Sequence, residues 1–244
     1  MEGNNSRLIK NNNSTLNDIT NKNSSTTLNE DIENIQNDNV MEFKIVLIGS
    51  TSVGKTSIFN RFINEDFSQN YKSTINVEFK IKYMKLDNNL FAKLTLWDTC
   101  GAEMFRAVTR QYYKNAHAII LVFDLTDQNS FNDLKDIWLN DVENYGEKNT
   151  LILIVGNKLD LIEERKVTES QAINFCRENG YKYTETSAKE GTNILKTFEE
   201  LSFELATKYE KQKEEEMKSQ SKIIIENFED KNIVISKNKK VGCC

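Results

Sequence analysis

The sequence predicts an α/β fold: a doubly wound, mostly parallel six-stranded sheet flanked by helices. Three features carry the prediction. From Met41 onward, short apolar runs alternate with helical stretches of roughly ten to fifteen residues, the pattern of βαβ units. Residues 118–123 and 151–155 are continuously apolar, as central strands covered on both faces require. Between an apolar run at 43–48 and a helical stretch at 57–62 stand Gly49-Ser50-Thr51-Ser52-Val53-Gly54-Lys55-Thr56, which fit G-x-x-x-x-G-K-[ST].

Residues 1–40 are dominated by Asn, Ser and Thr, with too few apolar side chains to offset the entropy of ordering, so a disordered arm is expected. The first strand falls at 43–48 and the helix behind the loop at 57–62. Residues 77–86 and 90–99 flank Asp87-Asn88-Asn89 and read as a hairpin with a short turn. Between the two central strands, Phe131, Leu134, Ile137, Trp138 and Val142 recur at helical spacing within 130–145. Thr168 is a fitting N-cap for a helix over 168–179, with Gly180 as its stop. A short strand at 181–184 precedes a last helix from Asn193 to about Lys211. The folded domain is therefore expected at 41–211, with a flexible tail at 212–244.

Composition narrows the function classes. A chain of 244 residues with 38% hydrophobic content supplies the core of one domain of roughly 170 residues. The net charge of −5 argues against a nucleic-acid partner. No apolar run approaches the roughly 18 residues that span a bilayer. The polar N-terminus has no signal-peptide core, and Glu2 stands where N-myristoylation needs Gly. Cysteines at 100, 176, 243 and 244 match neither a disulfide framework nor a zinc site, so a reducing, cytosolic compartment is expected.

The strand–loop–helix setting gives the loop its chemistry. Backbone groups of Gly49, Ser52, Val53, Gly54, Lys55, Thr56 and Ser57 would wrap the phosphates of a nucleotide at a helix N-terminus. Lys55 would reach the outer phosphates, and the Thr56 hydroxyl would bind Mg²⁺. Asp98-Thr99-Cys100-Gly101 ends the apolar strand Leu94-Thr95-Leu96-Trp97. Asp98 there is the second metal element, acting through water, and the Gly101 N–H is placed to sense a γ-phosphate. Taken alone, the same four residues also read as a strand-ending turn.

Asn157-Lys158-Leu159-Asp160 selects the base. The Asp160 carboxylate can accept from guanine's N1–H and exocyclic amine, whereas adenine would leave it unpaired at about 1–3 kcal/mol or more. Asn157 and the stem of Lys158 would hold the ring edge and face. Ser187-Ala188-Lys189 would give a backbone donor to guanine O6.

In this order and spacing the motifs resemble those of the Ras-superfamily small GTPases (the P-loop G domain), and among them the Rab proteins. The resemblance covers residues 43–211 and the last two residues. It includes Ile75-Asn76-Val77-Glu78-Phe79, Lys93-Leu94-Thr95-Leu96-Trp97-Asp98-Thr99, Tyr112-Tyr113-Lys114-Asn115-Ala116 and Leu121-Val122-Phe123-Asp124-Leu125-Thr126. It implies that Thr74 is a mobile-loop threonine joining the Mg²⁺ shell when the γ-phosphate is present, and that Phe67 packs edge-on against guanine. It also implies that Lys55, Thr74 and Gly101 form the catalytic set, and that Phe79, Trp97 and Tyr112 form an exposed patch read by effectors. For Phe79 and Tyr112 the alternative is ordinary core packing.

Two departures from the family pattern bear on catalysis. Ala102 stands where the family has a Gln that orients the attacking water, which implies slow intrinsic hydrolysis. Asn76 stands where Rabs carry Gly, and Thr51 and Ser52 place side chains beside the γ-phosphate position. His117 has no acid or cysteine partner in sequence and reads as structural. Cys176 reads as packed, and Cys100 as a candidate reactive thiol at the border of the mobile region.

The tail ends in Lys237-Asn238-Lys239-Lys240-Val241-Gly242-Cys243-Cys244. In Rabs such a terminal Cys-Cys resembles the substrate for double geranylgeranylation, and two lipid chains give stable anchoring where one does not. Nearby lysines would add attraction to anionic leaflets. The resemblance implies an effector-recruiting GTP/GDP switch in vesicle traffic, on the cytosolic face of a membrane and cycling with the cytosol. It would be served by an exchange factor, a GTPase-activating protein, an escort protein and a dissociation inhibitor. The rivals are a GTP-binding scaffold with essentially no hydrolysis, supported by Ala102, and a nucleoside monophosphate kinase. Residues 157–160 and the lack of arginine clusters argue against the kinase.

Overall fold

The computed structural model describes residues 39–68, 74, 77–87, 90–102 and 105–238. Most of the expected 1–40 arm lies outside the described residues, as do Asn76, Glu103, Cys243 and Cys244. The strands are β1 (Val40–Ile48), β2 (Glu78–Asp87), β3 (Leu90–Asp98), β4 (Ala118–Asp124), β5 (Leu151–Asn157) and β6 (Lys182–Thr186). They form one six-stranded sheet in the order β2-β3-β1-β4-β5-β6. β1 with β4, β4 with β5, and β5 with β6 are parallel, while β2 lies antiparallel to β3. The sequence and the structure agree on this architecture, and on the hairpin, whose turn residues 88 and 89 lie outside the described set.

Alternation along the strands builds two cores. In β1, Phe43, Ile45 and Leu47 face one side with Ala118, Ile120 and Val122 of β4, while Val46 and Ile48 face the other with Ile119, Leu121 and Phe123. The first side is covered by α1 (Lys55–Asn64) and by α5 (Ile194–Asn238), whose Phe62 and Phe198 rings stack at 3.7 Å between centroids. The second is covered by α3 (residues 128–145) and α4 (Glu169–Glu178) through Phe131, Trp138, Ala172 and Cys176. Each such side chain withdrawn from water contributes about 1.5–3 kcal/mol. The short α2 (Arg106–Thr109) and a 3₁₀ turn (Arg110–Tyr112) link β3 to β4.

Local signals set the boundaries. Thr168 caps α4 as expected, its hydroxyl accepting the Gln171 N–H at 3.2 Å, and Gly180 follows at φ 72°. Asp127 caps α3 by accepting the Asn129 N–H. α3 is not uniform: Gln128–Asp133 and Leu139–Tyr145 are α-helical, with a π turn, Leu134–Trp138, between them. The last helix passes the expected end near Lys211 and the tail boundary at 212, reaching Asn238. Strong helix formers and pairs such as Glu214–Lys218 explain how a charged run continues the helix instead of stopping it. Parallel strands all end on one side, where Asp124, Asn157 and Thr186 stand in register across β4, β5 and β6. The ligand site of a doubly wound sheet belongs at this edge.

Candidate functional site

The loop after β1 turns into α1 at Gly54, which has φ 98° and no side chain to spare: a Cβ there would lie 2.2 Å from Asn157 Nδ2. α1 therefore begins with its N–H groups facing the loop, and the Gly54 carbonyl already accepts from Ile58. Lys55 is buried, and its Nζ donates to the carbonyls of Gly49 and Ser50, both at 2.8 Å. Burial pushes its ammonium down to about 8, with Asp98 and Cys100 opposing the shift. Ser52 holds φ 65°, and Val53 is buried against the core.

Beside the loop the three predicted metal residues meet. The Thr56 hydroxyl donates to Asp98 Oδ2 at 2.7 Å and lies 2.8 Å from the Thr74 hydroxyl. Asp98 is 2% exposed, and its Oδ1 is buried without a hydrogen-bond partner. Burial pushes its carboxyl up to about 6, against the Thr56 hydrogen bond and Lys55. One carboxylate with a spare oxygen and two hydroxyls fits Mg²⁺, which is commonly held by one or two carboxylates together with substrate phosphates. Gly101 closes the floor: a Cβ on it would lie 2.4 Å from Lys55 Nζ, so main chain approaches the lysine where a side chain could not. Ala102 follows, with no polar side-chain group.

The residues expected to read the base are tied to one another. Asn157 Nδ2 donates to the Val53 carbonyl at 3.0 Å, and Asn157 Oδ1 accepts from the Thr186 hydroxyl and the Ala188 N–H. One side chain thus joins the phosphate loop to the 187–189 loop. Asp160 Oδ1 accepts from the Ser187 hydroxyl at 2.6 Å, with Lys189 Nζ 3.7 Å from Oδ2. The Ser187 hydroxyl accepts in turn from the Glu190 N–H. Lys158 adopts φ 69° and pairs with Asp124 at 2.6 Å, which neutralises its head and leaves its stem as a surface.

A profile of the Ras family matches residues 44–207, well over half the chain. Ras-related protein Rab-1 of Theileria parva is 44% identical over 156 residues, 64% of this chain and 70% of the relative. Ras-related protein RIC1 of Oryza sativa subsp. japonica is 45% identical over 156 residues, 64% of this chain and 76% of the relative. Ras-related protein RABD2a of Arabidopsis thaliana is 44% identical over the same extent. The chain belongs to the Rab small GTPases of the Ras family.

In this small GTPase Phe79, Trp97 and Tyr112 lie side by side, but Trp97 and Tyr112 are half-buried and pack against the second core, so the core-packing alternative holds in part for Tyr112. Phe79 stacks on Trp97 at 4.8 Å, Trp97 meets Tyr112 at 5.1 Å, and Lys44 Nζ lies 5.5 Å over the Trp97 ring. Phe79 is 53% exposed, so core packing does not describe it. Other expectations for side chains resolve as follows. His117 Nδ1 accepts the Lys44 N–H at 2.9 Å, which fits a structural role. Cys176 is packed in the core, but Cys100 is buried too, so the expected accessible thiol is absent there. Only 4% of Cys100 is exposed.

Sequence reading missed Arg61. Its Nε and Nη2 donate to the carbonyls of Ala188 and Lys189, its Nη1 to Glu65, and its guanidinium lies 5.9 Å over the Phe67 ring. Phe67, placed by resemblance against guanine, is thereby linked to the 187–189 loop. The only sequence signal was an arginine six positions after Lys55, which spacing alone does not distinguish from a solvated helix residue. A cleft of about 620 Å³ between α4 and β6, lined by Ile173, Tyr181 and Tyr183 among others, lies elsewhere and is not the nucleotide cradle. Among the described residues, no helix is long and apolar enough to cross a membrane.

Proposed function

We propose that the protein is a prenylated GTP/GDP switch that recruits effectors to membranes and regulates vesicle traffic, with slow intrinsic GTP hydrolysis. The observation that carries the switch reading is the Thr56 hydroxyl, which lies 2.8 Å from the Thr74 hydroxyl and donates to Asp98 at 2.7 Å, because it ties a loop threonine to the residues suited to a phosphate-bound cation. Such a loop changes arrangement when the γ-phosphate leaves. Thr56, Thr74 and Asp98 would hold Mg²⁺, which on binding neutralises phosphate charge. Lys55, buried between two carbonyls, supplies fixed positive charge to the phosphates; Gly101 supplies an N–H close to it; Asp160, Asn157 and the 187–189 loop select guanine. Ala102 has no group to orient water, so positioning, the main protein contribution to phosphoryl transfer, is incomplete in the isolated protein.

Phe79, Trp97 and Tyr112 support a surface for effectors, and the resemblance supports the exchange factor, activating protein, escort protein and dissociation inhibitor. Cys243 and Cys244, outside the described residues, would carry the geranylgeranyl groups. The domain reading is a 1–40 arm, a 41–211 G domain and a lipid-bearing tail from 212.

The test is single-turnover GTP hydrolysis by the parent and by Ala102→Gln. Slow turnover in the parent and turnover about tenfold faster in the variant support the reading. Brisk parental turnover places the water with another residue. Ala102 also favours a second reading, a GTP-binding scaffold, whose mark is bound GTP with no turnover in either protein.

A further inference from the structure

Helix α3 touches the phosphate loop through an irregularity. The Ser50 hydroxyl donates to Asp133 Oδ2 at 2.9 Å and accepts from Trp138 Nε1 at 3.1 Å. These partners stand five residues apart, and on a regular helix of 3.6 residues per turn they would diverge by about 140°. Here Leu134–Trp138 form the π turn, with the Leu139 N–H donating to the Leu134 carbonyl. An i→i+5 turn returns a side chain five positions on to nearly the same side of the helix. The widened turn is what lets a carboxylate and an indole hold one hydroxyl. Trp138 is buried in the core behind that contact, so its N–H direction is fixed by packing.

Ser50 is held at its side chain while its backbone faces the chemistry. Its carbonyl accepts from Lys55 Nζ at 2.8 Å, and a Cβ on Gly101 would come within 2.5 Å of the same oxygen. A serine whose proton and lone pair are both engaged has one orientation, and its carbonyl inherits that orientation. We propose that Asp133 and Trp138 are positioning residues for the phosphate loop: acting through Ser50, they hold the carbonyl that aims Lys55 and so set how long bound phosphates are retained. This rests on the reading of the loop as a guanine-nucleotide site. Both residues lie on α3, outside every nucleotide motif, and π turns inside α-helices recur at functional sites.

The experiment measures release of a fluorescent GDP analogue from the full-length protein with Mg²⁺ present. It compares the parent with Ser50→Ala, Asp133→Ala, Trp138→Phe and the Ser50→Ala/Asp133→Ala double variant. Each single substitution is expected to speed release roughly three- to tenfold, the worth of one hydrogen bond. The double is expected to be no faster than its faster parent variant, because both changes remove the same bond. Asp133→Leu, similar in size and without an acceptor, replaces Asp133→Ala should the latter not fold. A spectroscopic readout accompanies the rates. The chain has two tryptophans, so in a Trp97→Phe background Trp138 emission should shift on Ser50→Ala as its N–H loses its acceptor. A parent that retains guanine nucleotide beside variants releasing it at the parental rate overturns the inference, and so do effects that multiply in the double. A parent that retains no guanine nucleotide overturns the functional reading and this inference with it.

Discussion

The two ends of the nucleotide cradle are built on opposite terms. At the base end, Asn157 is 2% exposed with three hydrogen bonds, Asp160 is held by Ser187 and Lys189, and Arg61 fastens the loop from beneath. At the phosphate end, Asp98 carries a buried oxygen with no partner and a carboxyl raised by burial, while burial depresses Lys55. The base end satisfies its own polar groups; the phosphate end holds two buried charges that a polyphosphate and a cation suit. On the proposed reading, the first set suits a fixed base-binding frame and the second a charge-dependent response to phosphate.

The sharpest way to break this comparison is Asp160→Ala. Two lost hydrogen bonds to guanine should weaken GTP by ~100-fold or more while leaving ATP no better or worse, measured by equilibrium binding of both nucleotides. Equal loss for both would mean that Asp160 holds the loop and does not read the base.

Asn157→Ala should act on the fold itself. It strands the Val53 carbonyl, the Thr186 hydroxyl and the Ala188 N–H, at about 2–3 kcal/mol in all. The nucleotide-free protein should melt roughly 5–10 °C lower by calorimetry.

Asp98→Asn should have the opposite sign. Removing a charge that burial disfavours should stabilise the nucleotide-free protein by ~1–2 kcal/mol, while magnesium no longer slows nucleotide release. The pH dependence follows from a folded carboxyl pushed by burial up to about 6, above its ordinary value of 3.8. Between those values the folded state binds the extra proton, so parental stability falls as pH rises through that window, and the Asn variant lacks the slope. A melting profile from pH 4 to 7 distinguishes them.

The smallest effect belongs to His117, far from the cleft. Burial and its acceptance of the Lys44 N–H hold it neutral below its ordinary pKa, with Glu147 opposing. The unfolded chain then binds the proton that the folded state refuses, so this contribution is lost as pH falls through about 6.5. His117→Asn should flatten that part of the melting profile and leave nucleotide binding untouched.

Contiguous chemistry was legible in the sequence; chemistry assembled across the chain was not. The phosphate loop, the Asp98 segment and residues 157–160 are short motifs at strand ends, and continuous apolar runs marked which strands lie centrally. Thr74 reached the metal residues through resemblance, not spacing. Arg61, the Asp124–Lys158 pair and the Ser50 clamp were invisible because their partners lie 34 to 128 residues away or depend on a single widened helical turn. The last helix was expected to end near Lys211, but the charged run beyond it consists of strong helix formers and continues the helix to Asn238.

Arg61 has a temporal consequence as well as a geometric one. Its contacts with Ala188 and Lys189 bridge 127 and 128 residues of sequence. At ordinary ribosomal speeds those carbonyls are made roughly 6–25 s after the arginine. Residues 49–56 are therefore complete in the nascent chain well before the 187–189 loop, which the proposed function assigns to guanine, exists. Selectivity arrives last in synthesis, with a contact of long sequence separation, the kind that slows folding most.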